Sequence, residues 1–125
     1  MSEATDQMAL FDLLETARGR YPLLGYAFHV PNGEKRDDAT AAKLARMGVR
    51  RGVPDVILPI RDKLGVFAGL AIELKTARGR TSPEQEEWLI MLHVQGWKTE
   101  VCREWTDAAR LLLAWVGAEP KEYGL

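Results

Sequence analysis

Two acidic side chains and a lysine near the middle of the sequence have the residue types needed to hold a metal ion and act on water. Asp55 starts one apolar segment, and Glu73 and Lys75 lie near the end of the next. Carboxylate oxygens are the ligands that Mg²⁺ prefers, and an amine beside the ion can orient or deprotonate a water or stabilise developing charge. Such chemistry requires the three groups to meet in the fold.

The elements that carry these residues predict that they do meet. Residues 66–75 alternate in a strand pattern that puts Glu73 and Lys75 on one face, and residues 53–60 form an apolar strand before it. If a turn at residues 61–65 joins the two strands into a hairpin, Asp55 lies level with the end that bears Glu73 and Lys75. The alternative is an ordinary Glu–Lys pair on a solvated face, since most charged strand residues are exposed.

The other elements complete an α/β pattern. Ser82, Pro83 and Gln85 are the N-cap, first residue and capping-box partner of a helix, and Thr106 is the predicted cap of the last helix. The parallel crossover from strand 66–75 through that helix to strand 97–103 is expected to be right-handed, within a mixed sheet of about four strands. Further predictions are helices over 5–17, 38–47 and 107–116, and a strand over 26–30 before a Pro31-Asn32-Gly33 turn.

Composition bounds the class of protein. The chain has 125 residues, of which 46% are hydrophobic, so we expect one folded domain over residues 1–125. Its single cysteine, Cys102, cannot form an internal disulfide and is expected to be a small core residue of a strand. No apolar run approaches the roughly 20 residues that cross a bilayer, and the first residues lack the bases of a signal peptide. We therefore expect a soluble cytoplasmic protein without membrane partners.

The net charge of −1 conceals an uneven distribution. Residues 18–80 hold 13 basic and 6 acidic side chains, whereas the segments on either side are each net acidic by 4. A phosphate-binding surface needs a local basic cluster rather than a high overall pI. Solvated Lys and Arg on helix faces would give the same distribution, so charge alone does not decide between the two.

Four segments in order resemble a known family. They are 29–33 (HVPNG), 47–55 (MGVRRGVPD), 72–75 (IELK) and 80–85 (RTSPEQ). Together they are similar to the PD-(D/E)XK nuclease superfamily, and more closely to the short stand-alone form of the virus-type replication-repair nuclease (VRR-NUC) domain. The resemblance implies a restriction-endonuclease-like core, with a central mixed sheet flanked by helices.

The resemblance also implies roles for individual residues. Asp55 and Glu73 would be metal ligands for Mg²⁺ or Mn²⁺, Lys75 the catalytic lysine, and Gln85 an active-site residue on the following helix. An acid on the first helix is implied as well: Glu3, one turn before Gln7, matches the spacing of the family, and Glu15 is the alternative. Gln85 could instead serve only the capping box.

DNA is the substrate that the resemblance implies, cut by an endonuclease in replication, repair or recombination. Branched or Holliday-junction-like DNA and a homodimer are expected, and the stand-alone form suggests a bacterial or phage-infected cell. His29 could bind phosphate, but a histidine beside a turn is more often structural. The basic candidates for phosphate contact are Arg78, Arg80, Arg50, Arg51 and Lys43. A non-catalytic DNA-binding module with the same fold is the alternative function.

DNA binding should weaken with salt although the protein is acidic overall, because each phosphate contact releases counterions. The logarithm of the association constant should fall linearly with the logarithm of salt concentration, by about 0.9 per neutralised phosphate on duplex DNA. A titration of labelled duplex followed by fluorescence anisotropy measures this slope. Affinity that stays constant from low to moderate salt would contradict a phosphate-tracking surface.

Overall fold

The computed structural model describes residues 3–31 and 37–125, with only the backbone of Glu3. Its helices and strands occur in the order α1, β1, α2, β2, β3, α3, β4, α4. The helices are α1 (Glu3–Ala17), α2 (Asp38–Arg46), α3 (Pro83–Val94) and α4 (Trp105–Trp115), and the strands are β1 (Phe28–His29), β2 (Val56–Leu58), β3 (Leu70–Leu74) and β4 (Lys98–Cys102). The predicted α/β fold, a mixed sheet with flanking helices, is confirmed.

The sheet contains the predicted hairpin and crossover. Its strand order is β1-β2-β3-β4. The pairs β1–β2 and β2–β3 are antiparallel, with Val56 opposite Ile72. Strands β3 and β4 pair in parallel, and α3 is the connection between them. Consequently the start of β2 meets the ends of β3 and β4 at one edge of the sheet.

The main core lies on one face of this sheet. Leu10 and Leu14 of α1 and Leu112 and Leu113 of α4 are buried there against alternate residues of the strands, among them Ile72. Burying large aliphatic side chains between two layers is the dominant stabilising term of such a domain. None of the described helices is both long and apolar enough to cross a membrane.

Cys102 occupies the core position that the sequence predicts, with 5% of its surface exposed. Burial, reinforced by the nearby carboxylates of Glu100 and Asp107, raises the pKa of its thiol to about 11. Because the thiolate is the reactive form of cysteine, this side chain is inert near neutral pH. Cys102 is therefore a packing residue and not a nucleophile.

The observed strands are shorter than predicted, and the cap of the last helix is different. Tyr26 ends a 3-10 turn (Pro22–Tyr26), because Pro22 favours such a turn, and only two residues of the predicted strand 26–30 pair with β2. Residues 66–69 precede β3 instead of extending it. Helix α4 begins at Trp105 after an extended Glu104, so Thr106 already lies inside the helix and is not its cap. The predicted turn at Asn32-Gly33 falls outside the described residues.

Candidate active site

Asp55 lies directly before β2 and is tied to β3 through its side chain. Continuing the β2–β3 register by one step from the Val56–Ile72 pair puts Asp55 opposite Glu73. The backbone amide of Leu74 donates a hydrogen bond to Asp55 Oδ2 over 2.8 Å. One oxygen of this half-buried carboxylate thus anchors the chain to β3, and that bond leaves the other oxygen available for a ligand.

Glu73 is a buried carboxylate near the end of β3. Only 2% of its surface is exposed, and its Oε1 accepts a hydrogen bond from Gln85 Nε2 over 3.2 Å. Lys75 Nζ lies 3.8 Å from the same oxygen, and the lysine side chain is 13% exposed. The interpretation of Glu73 and Lys75 as a solvated surface pair is therefore wrong.

Gln85 performs the capping function and contacts the buried acid at the same time. Its Oε1 accepts from the amide of Ser82 over 2.8 Å, while Ser82 Oγ accepts from the amide of Gln85 over 3.2 Å. Because the carboxamide oxygen is held by Ser82, the NH₂ group has to be on the side of Glu73. The capping box of α3 therefore fixes which atom Gln85 presents to the site.

Gly52 brings the chain before Asp55 against the first turn of α3. Its φ of +84° lies in the left-handed region, and a Cβ there would be 2.5 to 2.8 Å from backbone atoms of Glu84 and Gln85. Such distances are too short for any side chain. Gly52 belongs to the 47–55 motif but has no role predicted from the sequence; a glycine beside the Pro54-Asp55 segment is the available signal for a close backbone approach.

His29 holds the same segment from the other side. Its Nδ1 lies 3.0 Å from the backbone oxygen of Asp55, which also accepts a hydrogen bond from the amide of Val30 over 2.8 Å. Because a carbonyl oxygen can only accept, Nδ1 carries the proton. This contact makes His29 a structural support for Asp55, which is the commoner of the two roles weighed from the sequence.

The family model of the VRR-NUC domain matches residues 6–105, which contain all of this arrangement. The chain belongs to the VRR-NUC family. A solved structure described as a VRR_NUC domain protein is similar over 92% of this chain and 88% of its own, with 27% identity and a TM-score of 0.73. No curated protein gives a significant match. A VRR-NUC domain is a nuclease-type, DNA-processing domain.

The acid expected on the first helix stays a prediction. The side chain of Glu3 lies outside the described residues. Glu15 is 70% exposed and pairs with Arg18 at 3.1 Å, one turn away, as a solvated helix residue does. Asp6 was missed: it is half-buried, and its Oδ1 is buried without a hydrogen-bond partner among the described residues. Its spacing of four from Leu10, a core residue, is the signal that could have revealed it.

The donor atoms of this VRR-NUC site suit a hard divalent cation. Among the side chains that the structure describes, no group of three or more His, Cys, Asp or Glu is arranged to hold a metal. Asp55 and Glu73 offer two carboxylates on neighbouring segments, and proteins commonly bind Mg²⁺ through one or two carboxylates while it keeps several waters. Zinc sites instead use three or four protein ligands, most of them histidine nitrogen or cysteine sulfur. The residues present fit Mg²⁺ or Mn²⁺.

The basic side chains predicted to contact phosphate are all exposed. They form no ion pair with an acid in the described part of the chain, and they are Lys43, Arg50, Arg51, Arg78 and Arg80. Arg50 donates a hydrogen bond to Ala45 O at the end of α2 over 3.4 Å. Arg78 and Arg80 come three and five residues after Lys75 and are the nearest of the five to it along the chain.

Gly52→Ala should lower nuclease activity by at least an order of magnitude and also destabilise the fold. The new Cβ would collide with the backbone of Glu84 and Gln85 and separate Asp55 from the helix that carries Gln85. Overpacking typically costs about 1–3 kcal/mol of unfolding free energy, besides the penalty for a positive φ. Thermal unfolding and cleavage of labelled DNA measure the two effects.

Gly48→Ala is the matched control. Gly48 has a φ of +101°, but nothing lies within 4 Å of a Cβ there. It should therefore cost only the backbone penalty and leave cleavage close to the wild-type rate. Equal loss of activity in the two variants would show that the packing of Gly52 against α3 is unimportant for the site.

Proposed function

We propose that this VRR-NUC domain is an endonuclease that hydrolyses DNA phosphodiester bonds with Mg²⁺ or Mn²⁺ held by Asp55 and Glu73. The observation that carries the proposal is the burial of Glu73 opposite Asp55, with Gln85 and Lys75 both at its Oε1. Burying a carboxylate costs stability even when it is paired. A carboxylate that is buried at this cost, close to exposed basic side chains, is better explained by a function in binding a metal than by stability.

The residues of this site then have distinct roles. A bound divalent ion would polarise the phosphate and lower the pKa of a water. Gln85 holds the Glu73 carboxylate in one orientation, and the amide of Leu74 does the same for Asp55. Lys75, whose amine lies beside Glu73, orients the attacking water or stabilises charge on the phosphate.

The proposed substrate is DNA because exposed basic side chains, which pair with no acid among the described residues, suit a repeating phosphate chain. Lys43, Arg50, Arg51, Arg78 and Arg80 would follow the backbone on either side of the cleaved bond, without reading bases. Selectivity for branched DNA and action as a homodimer extend the same proposal. Exposed apolar residues of α3, Ile90 at 64% and Val94 at 71%, support the homodimer. We further propose that residues 1–125 form one such domain.

A DNA-binding module without catalysis is the weaker alternative. Such a module would gain nothing from a carboxylate buried beside a lysine, since replacement of buried ion pairs by apolar residues is often neutral or stabilising. Metal-dependent nicking of plasmid DNA, which EDTA should abolish, separates the two functions.

Asp55→Asn and Glu73→Gln should each abolish cleavage while the fold persists. Both changes are nearly isosteric and remove a charge that the metal requires, yet the amide oxygen of each variant can still accept the bond from Leu74 or Gln85. Without metal, the loss of one of two like charges could even raise the unfolding temperature. Nicking assays and thermal unfolding, each with and without Mg²⁺, measure both effects.

Asp62→Asn is the control for Asp55→Asn. Asp62 Oδ1 accepts a hydrogen bond from the amide of Phe67 over 2.8 Å in the loop between β2 and β3, so the same kind of bond is changed away from the site. This variant should cleave DNA normally. Full activity of either Asp55→Asn or Glu73→Gln would refute the assignment of the site.

Lys75→Ala should keep metal and DNA binding but lose most of the chemical step. Loss of one acid–base or charge-stabilising group typically slows a reaction by about 10²–10⁴-fold. Lys75→Arg should restore little, because a guanidinium is bulkier and cannot act as a base near neutral pH. Single-turnover cleavage at saturating enzyme separates a slow chemical step from weak binding.

Lys98→Ala supplies the comparison for that experiment. Lys98 pairs with Glu100 at 3.0 Å, two residues along the neighbouring strand, but both side chains are 38% exposed. Its removal should leave the cleavage rate unchanged. If Lys75→Ala at saturation also cuts at the normal rate, Lys75 has no part in catalysis.

A further inference from the structure

The chain makes a tight turn immediately after Lys75. The amide of Lys75 still donates to Cys102 O over 2.9 Å, so pairing between the β3 and β4 segments extends to this lysine. Beyond it, the amide of Gly79 donates to both the backbone oxygen and Oγ1 of Thr76, each over 3.1 Å. Residues 76–79 thus form a closed turn, here called the 76–79 turn, with Arg78 inside it and Arg80 directly after it.

Arg103 joins the two ends of the 76–79 turn. It directly follows β4, and its Nη1 donates to Thr76 O over 2.9 Å and to Gly79 O over 2.6 Å. Hydrogen bonds from a charged donor are stronger than those between neutral groups, and the guanidinium is always charged. The ends of two adjacent parallel strands are therefore linked at the site through one side chain.

The charge of Arg103 is not neutralised by this contact. No described acidic side chain lies within ion-pair distance of it, and the residue is exposed. By contrast Arg110, the next arginine along the chain, pairs with Asp107 at 2.9 Å. An exposed arginine that binds two carbonyls instead of an acid organises the loop.

We infer that Arg103 is a positioning residue for substrate DNA: it holds the 76–79 turn in the conformation in which Arg78 and Arg80 contact phosphates next to the cleaved bond. The inference rests on the proposed function, because it takes DNA as the substrate. If the loop is already ordered before DNA binds, binding does not include the entropy cost of ordering it. Arg103 therefore contributes to affinity through other residues and not to the chemical step.

Arg103→Gln and Arg103→Lys test this role. Lysine keeps the charge but not the rigid fork of donors. With EDTA present to prevent cleavage, we expect Arg103→Gln to weaken DNA binding about tenfold, the scale of the cost of ordering one or two side chains. Arg103→Lys should regain only part of the affinity. With Mg²⁺, KM should rise while the single-turnover rate at saturation stays near that of the wild type.

Two further measurements separate positioning from general charge or stability. Arg110→Gln removes an exposed arginine from α4, and it should leave both affinity and the 76–79 turn intact. In an Arg78→Ala, Arg80→Ala background, Arg103→Gln should cost much less than it does alone, since its effect passes through those residues. Thermal unfolding should change little in any of these variants, because all the altered side chains are exposed.

Several outcomes would overturn the inference. Wild-type affinity in Arg103→Gln would mean that Arg103 plays no part in DNA binding. Full recovery in Arg103→Lys would indicate a direct charge contact with DNA, and so would losses that add to those of Arg78→Ala and Arg80→Ala. A fall in the saturated single-turnover rate equal to that in affinity would overturn the inference too. Failure of the proposed function looks different: the wild type would then show no metal-dependent cleavage, whatever Arg103 contributes to binding.

Discussion

The buried carboxylate of Glu73 is the constraint on which the rest of the site depends. A charged group removed from water is tolerated only if nearby groups replace its hydration. Here the replacements come from Gln85, which donates a hydrogen bond, and from Lys75, which supplies a positive charge. The side chain of Gln85 is held by the helix cap, and the backbone of Lys75 is held by its hydrogen bond to Cys102 O at the end of β4. The environment of Glu73 is therefore set by the backbone as much as by side chains.

The connections around Glu73 explain why the elements are arranged as they are. The antiparallel hairpin returns the chain so that Asp55 meets β3 beside Glu73, and the crossover through α3 brings Gln85 over the same strand end. Gly52 then closes the arrangement, because its lack of a side chain lets the segment before Asp55 touch the first turn of α3. Three stretches of sequence are thus held together, and two of these contacts involve the backbone: the amide of Leu74 on Asp55 and Gly52 against the first turn of α3.

The local parts of this design could be predicted from single residues. The cap of α3 followed from Ser82, Pro83 and Gln85, the hairpin from two apolar segments around a short turn, and the place of Cys102 from strand alternation. These features depend on neighbours in sequence, and hydrogen-bonding and periodicity rules therefore suffice. The lengths of the strands did not follow, because the ends of a strand depend on whether the adjacent strand continues to offer partners.

The sequence by itself determined the fold class and which side chains were available for chemistry: two acids, a lysine and a glutamine in the order of the VRR-NUC family. Only the tertiary structure decided that Glu73 is buried, that Asp55 binds a backbone amide, and that Gln85 serves both helix cap and acid. The same holds for Gly52 and Arg103, which no periodic pattern marks. Burial and contact are properties of segments distant in sequence, and desolvation, which sets the energy of a charge, exists only after those segments have packed.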